Sequence, residues 1–214
     1  VNAGNAMYFL PLLTVIKNKN KLVKDGINHL YEVYIEEMVN ISFGQAMDIA
    51  WHRGMANADG ITERHYLQMC AYKTGTLARM AAKLAAVLCE TSEDTVERLG
   101  RFAEAIGIAF QIQDDVLDLT SKGFAEKKGG RGQDITEGKR SLPVIRTIKV
   151  ARSKDRKRLV RILTMHTSDQ KLIEEAIVIM QKYDSIEYAK RCARKIVKTS
   201  WNEAEALLPH SEAK

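Results

Sequence analysis

F-Q-I-Q-D-D-V-L-D, residues 110–118, is the stretch from which the rest of this sequence can be organised. It closes an amphipathic pattern that begins near Thr91. Val96, Leu99, Ala103, Ile106, Phe110 and Leu117 recur at steps of three and four, with Gln113 the polar exception, and predict one apolar helix stripe. One residue along runs a second row, Gly107, Gln111, Asp114 and Asp118, so two carboxylates and an amide share a face with Asp115 beside them. Like charges at i and i+4 repel. Thr120-Ser121-Lys122-Gly123 reads as a stop, which places the aspartates in the last turns, where the helix dipole disfavours anions. Two readings fit these residues. They are a solvated acidic helix end, or carboxylates converging on Mg²⁺, whose octahedron water and substrate phosphates complete.

Composition narrows the class. The 214 residues hold one large domain or two small ones, and scarce glycine and proline, with Pro11, Pro143 and Pro209 alone, favour an all-helical protein. The formal charge of +6 raises a nucleic-acid or membrane-surface role, but the basic residues are scattered apart from residues 154–158. That run reads as a solvated helix face, and no base-stacking aromatics accompany it. Cys70, Cys89 and Cys192 are widely spaced and fit buried thiols in a reducing cytosol better than a disulfide frame or a zinc site. No signal peptide is visible, and residues 6–16, though apolar, are too short to span a bilayer and are broken by Pro11.

Along the chain, Asn2 or Asn5 caps a first helix that 17–20 breaks. A second helix is expected over about 21–39 and another over 41–53. On the latter, Gln45 and Asp48 lie at i and i+3 and point the same way, as a buried hydrogen-bond pair or as catalytic groups. Thr62 caps a helix running to about Cys89, in which Lys73 either snorkels to the surface or presents its ammonium to an anion in a cavity. Thr91-Ser92-Glu93-Asp94 reads as a capping box for the aspartate helix. Residues 122–140 form a long glycine- and charge-rich loop, of the kind that is functional or mobile. It is not a P-loop: five residues separate Gly132 from Gly138, Arg140 replaces Ser/Thr, and no strand precedes it. Ser141 with Pro143 restarts a helix, and three more are expected near 154–165, 169–183 and 185–207. A di-iron bundle is excluded, because none of the five histidines has Glu three residues before it. With no repeat and no linker, one helical domain over 1–214 is the simplest organisation.

Taken together, F-Q-I-Q-D-D-V-L-D (110–118) and G-Q-D-I-T-E-G-K-R-S-L-P (132–143) resemble motifs of the trans-isoprenyl diphosphate synthases, the farnesyl, geranylgeranyl and related polyprenyl enzymes. F-G-Q-A-M-D (43–48) and Y-K-T-G (72–75) look like two more motifs of that family, in the right order. The resemblance implies an all-α isoprenoid-synthase bundle around a central cavity, a homodimer, and Mg²⁺ as cofactor. It implies that Asp114 binds Mg²⁺ directly and that Asp115 and Asp118 support the metals directly or through water. Lys73 and Lys139 would hold the allylic diphosphate, Thr74 and Gln111 would set oxygens near the allylic carbon, and Gln45 and Asp48 would support the site. The implied reaction is head-to-tail (1'-4) condensation of an allylic diphosphate with isopentenyl diphosphate, giving geranylgeranyl or farnesyl diphosphate, in the cytoplasm and without nucleic acid or a transmembrane segment.

The chain departs from that family in one respect: it has no first aspartate-rich motif. N-A-G-N-A-M-Y-F-L (2–10) resembles the helix that follows the motif, so the chain is expected to be the C-terminal two-thirds of a synthase, with the N-terminal third and the isopentenyl diphosphate residues absent. Alone, this 214-residue chain is expected to show little or no prenyl transfer. A class I terpene cyclase shares the fold, but D-D-V-L-D with G-K-R-S-L-P argues for chain elongation. A non-catalytic regulatory subunit of a prenyl synthase is the third reading, and intact Lys73, Gln111, Asp114 and Lys139 argue against it.

Overall fold

The computed structural model describes residues 2–55, 60–120 and 131–208, and every regular element among them is helical. Apart from two short 3₁₀ turns (Lys19–Lys21 and Glu205–Leu207), in chain order these are α1 (Asn2–Lys17), α2 (Lys24–His52), α3 (Glu63–Cys70), a π-helical turn (Ala71–Gly75), α4 (Thr76–Leu88), α5 (Glu93–Thr120), α6 (Gln133–Thr136), α7 (Leu142–Val150), α8 (Ser153–Thr164), α9 (Gln170–Lys182) and α10 (Ser185–Ala204). No described helix is long and apolar enough to cross a membrane.

Local chemistry accounts for several of the helix starts. Thr62 Oγ1 accepts from the His65 backbone N–H at 3.3 Å while His65 Nδ1 accepts from the Thr62 N–H, a reciprocal box that opens α3. Ser92 Oγ accepts from the Thr95 N–H at 3.4 Å, so α5 is capped one residue beyond the expected Thr91. Pro143 sits in the first turn of α7, where its missing N–H is no loss.

Helix α5 runs through the middle, packed on α4 along its first half and on α10 along much of its length. Ala109, Ile112, Val116 and Leu119 join Tyr66 and Met69 of α3 and the apolar faces of α7 to α10 in one core. A smaller cluster of Leu30, Ala86, Val87 and Val96 binds α2, α4 and the start of α5. The stripe expected from periodicity therefore holds only at its start: Ile106 and Phe110 are 43% and 67% exposed. A helix sandwiched between two partners buries a wide band, and that band has rotated toward Ile112 and Val116 by the aspartates.

Other expectations need correcting. The two helices expected over 21–53 are one, because Asn40 does not break α2 but donates to Glu37 Oε2 of the preceding turn at 3.4 Å. Pro11 lies inside α1 without ending it. The helix expected from Thr62 to Cys89 contains the π turn. Ser121 and Lys122 of the expected helix stop and residues 122–130 of the long loop lie outside the described residues, as do residues 56–59, and the described remainder of the loop contains α6.

Two glycines let helices close on the π turn from opposite sides. A Cβ built on Gly44 of α2 would lie 2.3 Å from the Lys73 backbone nitrogen, and one on Gly107 of α5 would lie 2.6 Å from the Gly75 Cα. Residues with side chains could not approach so closely. The turn that carries Lys73 and Thr74 is thus held between α2 and α5 by backbone contact.

Candidate active site

The π turn adds a residue to one helical turn, which re-aims the side chains on it; such bulges recur at functional sites. Lys73 turns toward α2 and forms an ion pair with Asp48, whose other oxygen lies 3.7 Å from His52 Nδ1. Asp48 is buried and Gln45 is exposed. The expected Gln45–Asp48 pair is therefore replaced by Asp48–Lys73, because the incoming turn offers a cation where Gln45 offers only an amide.

Thr74 faces α5. Its hydroxyl donates to Gln111 Oε1 at 2.8 Å, and Gln111 Nε2 donates to Asp115 Oδ1 at 3.0 Å. Asp115 is a hub. It is fully buried, its Oδ1 also accepts from Lys139 Nζ at 2.7 Å, and its Oδ2 accepts from the Tyr66 hydroxyl at 2.7 Å. Lys139 reaches on to Asp134 Oδ2 at 3.1 Å. An unbroken chain of polar contacts thus joins the π turn to the segment after the long loop.

Asp118 has a different task. Its carboxylate accepts the backbone N–H groups of Gln133 (3.2 Å) and Asp134 (3.1 Å), and its carbonyl accepts from the Gly132 N–H at 3.0 Å. It caps α6 and ties the returning chain to the end of α5, which sets Lys139 over Asp115. Of the three aspartates, Asp114 is partly exposed whereas Asp115 and Asp118 are buried.

The electrostatics follow from this crowding. Burial pushes the Asp134 carboxyl up to about 7 against the opposing charge of Lys139, and Asp115 and Asp118 push the same way. Burial alone would weaken the Lys139 ammonium, but Asp115 and Asp134 hold its pKa above the ordinary lysine value. Burial, then the Asp115 charge, raises the Tyr66 hydroxyl, so it stays a proton donor. Among the described residues no three His, Cys, Asp or Glu side chains form a ready metal cage. Mg²⁺ does not require one, since one or two carboxylates with phosphates and water suffice. The carboxylates of Asp48, Asp114, Asp115, Asp118 and Asp134 outnumber the ammonium groups of Lys73 and Lys139, an excess of negative charge that favours a divalent cation at the edge of the cluster.

Lys73, Thr74, Gln111, Asp115, Asp118 and Lys139 are brought together; Gln45 stands apart, exposed. Tyr66 and Asp134 were missed by the sequence reading. Tyr66 lies seven residues before Lys73, two helical turns away, and Asp134 lies inside a motif already quoted.

Residues 1–180 match the family model described as polyprenyl synthetase. The short chain isoprenyl diphosphate synthase of Methanothermobacter thermautotrophicus is 34% identical over 208 residues, covering 96% of this chain and 60% of that protein. The crystal structure of a geranylgeranyl pyrophosphate synthetase from Pyrococcus horikoshii superposes with a TM-score of 0.77 at 31% identity, over 90% of this chain and 56% of that one. A polyprenyl synthetase from Streptomyces coelicolor has the same fold, with a TM-score of 0.81 at 23% identity, over 98% and 61%. The chain thus spans little more than half the length of these relatives.

Proposed function

Because this chain belongs to the polyprenyl synthetase family, we propose that it carries the diphosphate-binding half of a prenyltransferase site. The reaction is the Mg²⁺-dependent head-to-tail (1'-4) condensation of an allylic diphosphate with isopentenyl diphosphate. The relatives' names favour geranylgeranyl diphosphate as product, with farnesyl diphosphate the shorter alternative. The observation that carries this reading is the contact chain Thr74–Gln111–Asp115–Lys139, with Lys139 at one end, Lys73 adjacent in sequence to the other, and the partly exposed Asp114 beside it.

Lys73 and Lys139 bind the diphosphate through the ammonium N–H groups that their carboxylate partners leave unused. Asp114, at the open edge of the cluster, is the residue that would hold Mg²⁺. Bound Mg²⁺ supplies positive charge that neutralises the diphosphate as it leaves. Asp115 engages the Gln111 amide nitrogen, which leaves Oε1 turned toward Thr74. The two oxygens form an electronegative pair suited to an allylic carbon as it gains positive charge. Isopentenyl diphosphate attacks that carbon through its double bond, and the departing diphosphate takes the proton. Asp118 acts by fastening α6, and the apolar helices exclude the water that would quench the cation.

Exposed apolar residues on α1 and α2, among them Met7, Phe9, Leu10, Ile35, Val39 and Phe43, support a homodimer. The free cysteines are compatible with a cytoplasmic setting.

Calorimetric titration with geranyl S-thiolodiphosphate, which cannot readily ionise, tests the reading. The expected result is Mg²⁺-dependent binding that EDTA abolishes and that Lys73→Ala or Lys139→Ala weakens about tenfold. Binding indifferent to EDTA and to both substitutions refutes it.

A further inference from the structure

Asp115 carries the second position of the aspartate motif, yet its surroundings differ from those of a metal ligand. It has no exposed surface, and three donors from three different segments already occupy its oxygens. One lone-pair site is left, on Oδ2, and the buried carboxylate offers no exposed surface at which a water-carrying Mg²⁺ could reach it. Tyr66 is itself wholly buried, packed in the core, and its hydroxyl donates to Asp115 Oδ2.

We propose that Tyr66 and Asp115 form a buried orienting pair: Tyr66 locks the Asp115 carboxylate, and Asp115 in turn sets the face of the Gln111 amide and the position of the Lys139 ammonium. Both are positioning residues, and the metal-facing role at this helix end falls to Asp114. A glutamine amide presents either its oxygen or its nitrogen to a neighbour. With Nε2 tied to Asp115, Oε1 must face Thr74, the side on which a developing cation is stabilised. Were the carboxylate free to rotate, the amide could turn and offer N–H groups to that cation instead. Tyr66 blocks the rotation by engaging the oxygen that Gln111 and Lys139 do not use. Tyr66 precedes Asp115 by 49 residues and reaches it because α3 packs against α5.

This inference rests on the prenyl-transfer reading, and its test separates the two. Tyr66→Phe keeps the ring and deletes one hydrogen bond, and Asp115→Asn keeps the shape and deletes the charge. Gln111→Met assigns the Gln111 side-chain amide resonance, and thermal unfolding checks that each variant folds. In ¹H–¹⁵N spectra the Gln111 amide should lie apart from exposed glutamines, exchange slowly, and move toward them in both variants. Binding of geranyl S-thiolodiphosphate should weaken about tenfold in each variant and no further in the double variant, because the two residues act as a unit. The Mg²⁺ concentration for half-maximal binding should stay within twofold of wild type. A rise of about tenfold in that concentration for Asp115→Asn makes Asp115 a metal ligand and overturns the proposal, as does a Gln111 resonance unmoved in both variants. If the wild-type chain binds no thiolodiphosphate, the functional reading fails, and the spectra alone decide whether the orienting pair exists.

Discussion

Replacing Gly44 by alanine tests whether backbone contact holds the π turn in place. The new Cβ would stand 2.3 Å from the Lys73 nitrogen, 2.6 Å from the Tyr72 carbonyl carbon and 2.8 Å from the Lys73 Cα. All three are backbone atoms, so no side chain can rotate away, and α2 or the turn must retreat by roughly 1 Å to restore ordinary contact near 3.4–4 Å. Alanine gains about 1 kcal/mol of helix propensity over glycine, while overpacking of this kind costs about 1–3 kcal/mol. Because the clash is backbone on backbone, the upper part of that range applies, and the net loss is about 2 kcal/mol. In a chain of this size that is a fall in Tm of roughly 4–8 °C. Gly26 lies on the same helix with nothing within 4 Å of its Cβ position, so Gly26→Ala is the matched control and should be neutral or stabilising by up to about 1 kcal/mol. Urea unfolding followed by circular dichroism measures both, with an unchanged m-value required for the comparison. Thiolodiphosphate binding should weaken in Gly44→Ala alone, since the turn that moves carries Lys73. Equal stability of the two variants would mean that backbone contact at Gly44 does not hold the turn.

Arg79 grips Glu37 through two hydrogen bonds of 2.5 Å and also pairs with Glu104, and Glu37 is only 1% exposed. Arg79→Met should therefore cost about 3–5 kcal/mol in urea unfolding, whereas Arg191→Met, which breaks an exposed, solvent-screened pair with Asp184, should leave the unfolding midpoint essentially unchanged. Ellman's reagent should modify the exposed Cys89 in the folded protein but reach Cys70 only after unfolding, because Cys70 is buried and burial pushes its thiol pKa up. Modification of Cys70 at the rate of Cys89 would contradict the packing of α3 against α5. Burial pushes the Asp134 carboxyl up to about 7 from the 3.8 of the free side chain. The folded state therefore keeps a proton that the unfolded chain releases, and this group's contribution to stability is full below about pH 4 and lost as pH rises through 7. Asp134→Asn should flatten that part of the stability–pH curve, measured by urea unfolding at half-unit steps without Mg²⁺. An unchanged slope would place Asp134 outside the buried cluster.

The helical class, the boundaries near Thr62, Ser92, Ser141 and Asp169, and the placing of an acidic motif at a helix end were all determined by the sequence. These depend on capping groups, proline and periodicity, which act over a few residues and are written in them. Lys73, Thr74, Gln111 and Lys139 could also be singled out as candidates, through motifs in a known order. Which face of α5 is buried was not legible, since Ile106 and Phe110 are as apolar as Ile112 and Val116, and only the arrival of α4 and α10 separates them. Periodicity could not separate Asp114, Asp115 and Asp118, three identical carboxylates on one helix, and only the family resemblance set Asp114 apart. Tertiary structure assigned Asp115 to Tyr66, Gln111 and Lys139 and gave Asp118 the backbone of α6. Partners 24 and 49 residues away along the chain meet a given side chain only when helices pack. Packing distance, set here by Gly44 and Gly107, is a property of pairs of helices and belongs to no single segment.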